Sequence, residues 1–457
     1  MSILTKIPLV KMSIFDYSLI IMKRTAYHDL LAWKNHSARR PLLLMGARQV
    51  GKTWLMQEFG KAEYNNVVYV NFENTPLIRA QFDYDLKPDR LITMLSAEYN
   101  VPILPTETLI IFDEIQECNR ALNSLKYFEE TAPQYHIIAA GSFLGVAMHP
   151  GFTFPVGKVD RLTLYPLSFY EFLDAIGEGR MLAAAKSLDK SLIQGLAPKF
   201  IELMRLFFYI GGMPRSVLAY IQQNDLNEAR RIQNEILADY RSDFTKHITP
   251  PNIPKVGMIW DSIPVHLSRE KKRVVYKEIK KGGRASAFED AMQWLVDTGL
   301  VYKTSRVTLP EMPLAVHAEK DHFKLYMLDI GLLGAKAEIE LKYFLNPDSS
   351  VVSNYNGALT EQFIMQELKS AGFSPYYWGR DKGAAELDFI LQCHGEVIPL
   401  EVKAGIRKRS KSLDVYRELY LPALSVRATL KNLGVASGLY SIPLYLIASL
   451  RDIVTES

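Results

Sequence analysis

Residues 42–59 read LLLMGARQVGKTWLMQEF and contain the most informative pattern in the chain. Their apolar start predicts a buried strand, and the amphipathic run from Lys52 onward predicts a helix. Between the two lies the pattern G-x-x-x-x-G-K-T, from Gly46 to Thr53. Glycines let the backbone wrap closely, so that its N–H groups and the helix N-terminus face phosphate oxygens. The stretch therefore predicts a phosphate-binding loop.

The loop residues are the candidate nucleotide ligands. The Lys52 amino group can reach the β- and γ-phosphates of a nucleotide, and the Thr53 hydroxyl can ligate Mg²⁺. The alternative is a glycine-rich turn with a solvated lysine, and the flanking strand and helix argue against it. We therefore predict ATP and Mg²⁺ as cofactors, with the nucleotide held by Gly46, Ala47, Arg48, Gln49, Val50, Gly51, Lys52, Thr53 and Asp113.

An acidic pair supplies the second half of this site. The run TLIIFDEIQ, residues 108–116, predicts a buried strand with Asp113 at its carboxyl end. There Asp113 can hold Mg²⁺, and Glu114 can act as the general base that polarises the attacking water. Alone, the pair could serve only to cap a helix. Its position about sixty residues after the phosphate loop favours the catalytic interpretation.

Four apolar runs predict the sheet that carries these groups: PLLLMGA, NVVYVNFE, TLIIFDE and YHIIAAGS. Runs that are apolar on both faces suit a buried parallel sheet with helices as crossovers. Such a doubly wound α/β unit binds its ligand at the carboxyl ends of the strands. Ser142 follows the fourth run and either lies beside the γ-phosphate or is an ordinary strand-to-turn residue. With the two earlier motifs, this strand makes the chain resemble the AAA-type ATPases.

The resemblance extends to one family of prokaryotic AAA-type ATPases. Its motifs here are GARQVGKTWL, IFDEIQ, AAGSF, LYPLSFYEF, YIGGMPRSV and DYRSDFTKH, then WDSIPVHLS, FEDAMQWLVDTGLVY, FKLYMLDIGLL, ELDFILQ and IPLEVKAG. They span nearly everything from Met22 to about Tyr420. The resemblance implies a trailing domain, long classed as of unknown function, that ends in a fold similar to PD-(D/E)XK nucleases.

One departure from the family concerns the cationic finger. The family tends to carry Gly-Arg shortly before PLSF, whereas this chain reads GKVDRLTLYPLSF, with Lys158 at that position. Arg161 follows three residues later and is the candidate finger on the γ-phosphate, a contact that accelerates hydrolysis by large factors. The alternative is that Arg161 is a solvated surface arginine. The rate of hydrolysis depends on whether Arg161 contacts the γ-phosphate or not.

Length and composition set the remaining limits. A chain of 457 residues predicts two to four domains. Its net charge of +4 permits contact with nucleic acid but falls short of a strongly basic footprint. The two cysteines, Cys118 and Cys393, predict neither a disulfide framework nor a cysteine-rich metal site. We expect a cytoplasmic protein with no membrane partner, because no apolar run approaches a membrane span. The oligomeric state is not predicted.

The segmentation predicts an α/β multidomain protein. We predict an N-terminal extension at 1–21, a P-loop AAA-type ATPase domain at 22–165, a helical subdomain at 166–250, a winged-helix-like domain at 251–345 and a PD-(D/E)XK nuclease-like domain of the α/β restriction-endonuclease type at 346–457. The winged-helix prediction rests on three short helices followed by a hairpin. Within it, Lys280, Lys281 and Arg284 could contact DNA phosphates before a helix, or the domain could serve only protein interaction.

The last domain carries a second candidate site. In ELDFILQCHGEVIPLEVK, residues 386–403, the turn CHGE predicts a hairpin. Glu386 and Asp388 point to one face of the first strand, and Glu401 and Lys403 to one face of the second. This is the PD-(D/E)XK pattern, with Leu387 in place of the proline. Asp388 and Glu401 would bind a metal, and catalytic Lys403 would activate water against a phosphodiester. Glu361 would add a third metal-binding carboxylate.

Two functions remain open at this stage. The first is an ATP-driven switch whose nuclease-like domain acts on nucleic acid, and the basic residues Arg407, Lys408, Arg409 and Lys411 could guide the phosphate backbone. The second is an ATP-dependent protein-interaction switch in which the last domain is an inactive scaffold. The polar residues that alternate along the hairpin at 386–403 would then only face solvent, as they do in any half-exposed pair of strands. The retained Asp388, Glu401 and Lys403 favour the first function, and the modest net charge favours the second.

Overall fold

The computed structural model describes residues 22–142, 155–280, 283–345, 353–380, 385–405 and 411–455. Its contacts divide the chain into two units. The first unit consists of Lys23–Tyr165 together with Trp294–Leu300, and the second contains Pro166–Gln293 and Val301–Ser457. The predicted extension at 1–21 lies outside the described residues. None of the helices in the described ranges has the length and apolar character needed to cross a membrane.

The first unit is built on a parallel sheet, as the sequence predicts. Its elements are β1 (Leu42–Met45), β2 (Asn66–Asn71), β3 (Thr108–Asp113), β4 (His136–Ala140) and β5 (Asp160–Thr163), with helices α1 (Ala26–Asn35), α2 (Lys52–Glu63), α3 (Pro76–Tyr84), α4 (Pro88–Tyr99) and α5 (Asn119–Thr131). The strand order is β2-β3-β4-β1-β5, and every neighbouring pair is parallel. The four predicted strands are all present, and β5 extends the sheet at the edge next to β1.

Burial explains why these runs form the centre of the sheet. Every residue of β3 and β4 is buried, which fits their continuous apolar sequence. Beside β3, the rings of Phe72, Phe82 and Phe112 pack edge to face, with centroids 5.4–5.9 Å apart. Because β4 lies between β3 and β1, the carboxyl ends of these three strands meet at one edge, where the phosphate loop begins.

The second unit begins with helices and ends with a mixed sheet. Its helices are α6 (Phe169–Ala175), α7 (Gly179–Ser187), α8 (Lys190–Ile210), α9 (Pro214–Gln223), α10 (Leu226–His247), α11 (Ile253–Leu267), α12 (Tyr276–Ile279), α13 (Ala285–Asp297), α14 (Ile330–Lys336), α15 (Leu341–Leu345), α16 (Ser353–Ser370), α17 (Lys411–Tyr420) and α18 (Leu450–Thr455). The last residues of α13, from Trp294 onward, are assigned to the first unit. Its strands are β6 (Val301–Val307), β7 (Ala318–Met327), β8 (Tyr376–Gly379), β9 (Glu386–Cys393), β10 (Glu396–Val402), β11 (Ser425–Thr429), β12 (Gly434–Ala436) and β13 (Leu439–Pro443).

The predicted winged-helix segment does not stand apart from the last domain. Helices α11, α12 and α13 and the antiparallel hairpin β6–β7 occur in the predicted order. Strand β6 also pairs in parallel with β8, through Arg306 with Tyr377 and Val307 with Trp378. One sheet of order β12-β13-β11-β10-β9-β8-β6-β7 results. The structure thus does not separate two domains at residues 345 and 346, where the sequence predicts a boundary. The edge of β6 and the edge of β8 pair with each other, which satisfies the backbone hydrogen bonds of both strands.

Two of the family motifs meet in the interior of the second unit. Asp329, in FKLYMLDIGLL, accepts hydrogen bonds from the backbone N–H of Gly212 at 2.6 Å and of Leu332 at 2.9 Å. Gly211, in YIGGMPRSV, has φ +73°, and a Cβ there would lie 2.3 Å from Asp329 Oδ1. Only glycine therefore fits against this carboxylate. Burial raises the pKa of Asp329 to about 6.

Candidate functional sites

The phosphate loop is shaped by two glycines with positive φ. Gly46 has φ +136°, and a Cβ at this position would lie 2.2 Å from the Leu164 carbonyl oxygen. Gly51, with φ 96°, is the residue before α2, so the loop ends at a helix N-terminus. Gln49 also has a positive φ of 68°. The backbone from Gly46 to Thr53 is therefore curled at the start of α2, the geometry in which N–H groups bind phosphate.

Lys52 lies inside this loop. Its amino group donates to the carbonyl oxygens of Gly46 at 2.8 Å and Ala47 at 2.9 Å, and to Ser142 Oγ at 3.2 Å. Burial lowers the pKa of Lys52 to about 8, and the Glu114 and Asp113 carboxylates oppose that shift. Ser142, two residues after the end of β4 at Ala140, thus lies beside the Lys52 amino group. A contact between Ser142 and a γ-phosphate stays a prediction.

The acidic strand delivers Asp113 to the other side of the loop. Asp113 is buried, and its Oδ2 accepts hydrogen bonds from Thr53 Oγ1 at 2.6 Å and from the Tyr69 hydroxyl at 2.9 Å. A hydroxyl and a carboxylate oxygen side by side are ligands that Mg²⁺ accepts. The donor set of Thr53 and Asp113 therefore fits this ion.

Glu114 is held in a strained backbone conformation beside Asp113. Its φ of 50° is left-handed, and its N–H donates to Asp113 Oδ1 at 3.0 Å. The Gln116 amide donates to Glu114 Oε2 at 2.6 Å, which fixes the direction of the carboxylate. Burial raises the pKa of Glu114 above its ordinary value, and the Gln116 hydrogen bond opposes this rise. A raised pKa makes the carboxylate a better proton acceptor.

Three contributors to this site were not predicted from the sequence. Arg24 is 6% exposed and donates to the Val50 carbonyl oxygen at 2.9 Å and to that of Tyr165 at 2.5 Å, which ties the loop in place. Tyr69 reaches Asp113 because β2 pairs with β3 in the register Tyr69 with Ile111. Gln116 orients Glu114 as described. Only the strand order reveals Tyr69, and no local pattern marks Arg24.

The two candidate cations before PLSF differ in the structure. Lys158 forms ion pairs with Glu129 at 2.9 Å and Glu130 at 3.1 Å, both in α5. Lys158, at the position where the family tends to have arginine, is therefore engaged in ion pairs with α5 of its own domain. Arg161 is exposed on the edge strand β5, opposite Leu43 of β1. Its role as a finger remains a prediction.

The second candidate site gathers four carboxylates and three lysines in the second unit. Asp388 Oδ2 accepts from the Val402 N–H at 2.7 Å, so β9 and β10 bring Asp388 beside Glu401. Burial raises the pKa of Asp388 well above its usual range, and the Glu361 and Glu401 carboxylates add to this. Asp388, Glu401 and Glu361 thus converge, as predicted.

Lysines already engage most of these carboxylates. Lys403 pairs with Glu401 Oε1, and Lys272 pairs with Glu361 Oε1. Lys324, only 1% exposed, pairs with Glu386 Oε1 at 2.7 Å. In the described part of the chain, no group of three or more His, Cys, Asp or Glu side chains is arranged to hold a metal ion. The three-carboxylate metal set expected from the sequence is therefore not preformed, because lysines and backbone occupy its oxygens.

One carboxylate oxygen of the cluster is unsatisfied among the described residues. Glu401 is 3% exposed, and within the described residues its Oε2 is buried with no hydrogen-bond partner. A buried carboxylate oxygen without a partner carries a desolvation cost. The acidic and lysine pattern on β9 and β10 is therefore an incompletely satisfied polar cluster rather than the alternating surface of an ordinary hairpin.

The predicted nucleic-acid contacts are only partly covered by the structure. Lys280 and Arg284 are exposed on either side of Gly283, shortly before α13. Lys281 and the run Arg407, Lys408 and Arg409 lie outside the described residues. Lys411 begins α17 and is exposed. DNA binding by either group of cations stays a prediction.

With this geometry, the comparisons place the first site in a known class. Residues 38–173 match the family profile described as "AAA domain". The loop, the acidic strand and the parallel sheet therefore define a P-loop ATPase domain of the AAA type. Residues 201–343 and 356–447 each match a "Domain of unknown function", DUF8612 and DUF4143 respectively. Neither description names an activity, so the nuclease-like fold is left as a proposal.

Several solved structures match the chain at low sequence identity and with TM-scores below 0.5. The Walker-type ATPase PABY2304 of Pyrococcus abyssi is 15% identical, with 69% of this chain and 96% of that chain covered and a TM-score of 0.45. Cdc6p from Pyrobaculum aerophilum is 11% identical, with 74% and 96% covered and a TM-score of 0.25. The Aeropyrum pernix Orc1 protein in complex with DNA is 13% identical, with 70% and 92% covered and a TM-score of 0.26. No curated protein matches the chain.

Proposed function

We propose that the first unit binds ATP with Mg²⁺ and hydrolyses it. One observation carries this proposal: at the loop that ends at α2, Lys52 donates a hydrogen bond to Ser142 after β4, and the neighbouring Thr53 donates one to Asp113 at the end of β3. The AAA-domain match over residues 38–173 covers all of these elements.

Each side chain has a role that its contacts support. The Lys52 amino group would transfer its hydrogen bonds from the loop carbonyls to phosphate oxygens. Thr53 and Asp113 would hold Mg²⁺, which when bound offsets the charge of the phosphates. Glu114, oriented by Gln116, would accept the proton of the attacking water. Ser142 would donate to the γ-phosphate, and Arg161 would be the cationic finger.

Two substitutions separate binding from hydrolysis. Lys52→Ala should weaken ATP binding by tenfold or more, and Glu114→Gln should keep binding but slow turnover by about 100-fold or more. Lys61→Ala is the matched control, because Lys61 lies in the same helix, is exposed and forms an ion pair with the half-buried Glu58. Unchanged ATP affinity in Lys52→Ala, measured by titration calorimetry, would refute the site. Unchanged turnover in Glu114→Gln would refute only the base.

A second candidate function concerns the carboxylate cluster of the second unit. The convergence of Asp388 and Glu401 beside Lys403, with the buried unpartnered Glu401 Oε2, supports a metal-dependent site that acts on a phosphodiester of nucleic acid under control of ATP. Asp388 and Glu401 would hold the metal, which supplies Lewis-acid activation, and Lys403 would position or activate water. The competing proposal is an ATP-dependent protein-interaction switch, in which the lysine-filled cluster is an inactive scaffold.

A nuclease assay decides between the two. Wild-type protein is incubated with single- and double-stranded DNA and RNA, with and without ATP and with Mg²⁺ or Mn²⁺. Asp388→Ala should abolish any cleavage and leave ATP hydrolysis unchanged. Glu396→Ala is the matched control, since Glu396 is exposed at the start of the same strand as Glu401. Absence of cleavage under every nucleotide condition would favour the scaffold.

A further inference from the structure

Two side chains of β2 lie beside the proposed magnesium site, although neither belongs to the phosphate loop or to the acidic strand. Tyr69 and Asn71 are two residues apart on β2 and therefore point to one face of the sheet. In the register of β2 with β3, Asn71 lies opposite Asp113. Tyr69 and Asn71 are half-buried, whereas Asp113 is only 2% exposed. The carboxylate proposed to hold Mg²⁺ thus has polar neighbours on the adjoining strand.

Asn71 is oriented by the turn that follows β2. Its side-chain oxygen accepts hydrogen bonds from the backbone N–H of Glu73 at 2.9 Å and of Asn74 at 3.3 Å. Because an N–H group requires an acceptor, these two contacts distinguish the oxygen of the amide from its nitrogen. The Asn71 amide nitrogen is left to face the Tyr69 hydroxyl, to which it donates at 3.4 Å. The turn therefore determines which atom of Asn71 meets Tyr69.

The hydrogen bonds then run in one direction, from Asn71 through Tyr69 to Asp113. The oxygen of the Tyr69 hydroxyl accepts from Asn71, so its single proton is available to Asp113 Oδ2, 2.9 Å away. An ionised carboxylate can only accept hydrogen bonds, which makes Tyr69 the donor in this contact. The same oxygen of Asp113 accepts from Thr53 Oγ1 at 2.6 Å. Tyr69 and Thr53 therefore both bind one carboxylate oxygen of Asp113.

We propose that Tyr69 is a positioning residue for Mg²⁺ and that Asn71 acts through it. This rests on the proposed function of the same site, in which Thr53 and Asp113 hold the ion. Hydrogen bonds to the ligands of a metal fix their orientation, and the loss of one usually lowers metal affinity about 10- to 100-fold. Among the described residues, the Tyr69 hydroxyl hydrogen-bonds only Asp113 and Asn71. Its removal therefore weakens the hold on the ion and leaves the direct contacts of the loop with nucleotide in place.

The test compares nucleotide binding with and without the ion in the full-length protein. Calorimetry measures the affinity for adenylyl imidodiphosphate, a non-hydrolysable analogue of ATP, in excess Mg²⁺ and in excess EDTA, and the ratio of the two affinities is the gain due to Mg²⁺. Tyr69→Phe should equal the wild type in EDTA, whereas its gain due to Mg²⁺ should be about tenfold smaller. A gain at least as large as that of the wild type overturns the proposal. An equal loss of affinity under both conditions also overturns it, because the defect would then lie in the loop.

Tyr27→Phe is the matched control. The Tyr27 hydroxyl donates to a carboxylate oxygen of Glu63 at 2.9 Å, and Glu63 is the last residue of the helix that begins with Lys52. This variant therefore loses a hydrogen bond of the same kind at the opposite end of α2, and it should keep the gain due to Mg²⁺ of the wild type. A gain reduced as much as in Tyr69→Phe would overturn the proposal, since the loss would not be specific to the contact with Asp113.

Asn71→Ala provides a second variant. It should reduce the gain due to Mg²⁺ several-fold on its own and have no further effect in combination with Tyr69→Phe, because two residues that act through one contact are not additive. Additive losses would overturn the role of Asn71, and an unchanged gain in Asn71→Ala would overturn the proposal even if Tyr69→Phe failed to fold. Absence of nucleotide binding by the wild type would refute the proposed function and this inference with it. Normal binding with an unchanged gain in Tyr69→Phe refutes only this inference, so the two failures are distinguishable.

Discussion

At the residue scale, Arg24 fixes the position of the phosphate loop. It bridges the carbonyl oxygens of Val50 and Tyr165. Arg24→Met keeps most of the apolar stem but removes the guanidinium hydrogen bonds to these two carbonyls, at about 1–3 kcal/mol. We expect ATP affinity, measured by calorimetry, to fall about tenfold. Lys23→Met, at the exposed preceding residue, is the control, and equal ATP affinity in both variants would contradict this role.

Glu367 predicts a pH dependence of stability. It is 1% exposed, and its Oε1 accepts from the Phe169 N–H at 2.9 Å. Burial raises the pKa of Glu367 from an ordinary 4.5 to about 8, and nearby Glu171 contributes. The folded state therefore holds the proton more tightly than the unfolded state does. The resulting stabilisation is complete below about pH 4.5 and is lost as the pH rises through 8, at about 1.4 kcal/mol per pKa unit.

Glu367→Gln tests this sign. The glutamine keeps an acceptor for Phe169 and cannot ionise, so its melting temperature should exceed that of the wild type by several degrees at pH 9. At pH 5 the two proteins should melt within about 2 °C of each other. Thermal unfolding followed by circular dichroism across this range gives the comparison. A difference that is the same at both pH values would show that Glu367 is not neutral in the folded protein.

The sequence identifies those site residues that lie together in one short stretch of the chain. Gly46 to Thr53 form one continuous loop, so their spacing alone predicts a phosphate site. Asp113 and Glu114 are recognisable because a buried strand ends there. Lys272 gave no such signal, since it is 89 residues from Glu361 and only the fold brings them together. The same holds for Arg24, which is 141 residues from Tyr165.

At the element scale, the connection between β1 and α2 depends on Gly46. Its φ of +136° and the close approach of Leu164 O, 2.2 Å from a Cβ, exclude a side chain. Gly46→Ala should abolish ATP binding and destabilise the protein by about 2 kcal/mol or more. Gly195→Ala is the control, because this position in α8 meets open space and should be neutral or about 1 kcal/mol more stable. Chemical denaturation of both variants checks this, and normal ATP binding by Gly46→Ala would be incompatible with the described loop.

Strands could be predicted where burial on both faces gives a continuous apolar run. Strands β3 and β4 are buried throughout and are unmistakable in the sequence. Strand β5, DRLT, alternates between half-buried and exposed at the sheet edge and gives no such run. The hairpin β6–β7 was expected from the sequence, but its pairing with β8 was not. That pairing joins Arg306 to Tyr377, and nothing local specifies a partner so far along the chain.

At the scale of the whole molecule, the second unit is held together across the predicted domain boundaries. The rings of Phe169 and Phe207, from the predicted helical subdomain, pack on Phe363 of α16 at 6.1 and 6.0 Å. Phe200 stacks on Tyr445 at 4.6 Å. Aromatic pairs of this kind contribute beyond their buried area. The predicted helical and nuclease-like segments therefore share one core, although the sequence analysis separates them by a winged-helix-like domain at 251–345.

This shared core predicts how fragments of the chain behave. A fragment of residues 346–457 would lose β6 and β7, leaving an unpaired edge at β8, and would expose Phe363 and Tyr445. It would also lose Lys272 and Lys324. The buried carboxylate of Glu361 would then lack its ion-pair partner, at several kcal/mol, and the half-buried carboxylate of Glu386 would lack its own. We expect this fragment not to unfold cooperatively, whereas a fragment of residues 166–457 should do so.

Near-ultraviolet circular dichroism and the dispersion of amide signals in NMR spectra measure the difference directly. Fixed aromatic packing in 166–457 should give a near-ultraviolet signal that 346–457 lacks, since rings ordered by Phe169, Phe200 and Phe207 become mobile when those partners are removed. Adding Lys272→Met to 166–457 is the control for the lost lysine, because it should retain cooperative unfolding. If 346–457 alone gives dispersed spectra and a cooperative transition, its sheet is self-sufficient and the boundary at 345 and 346 separates two independent domains after all.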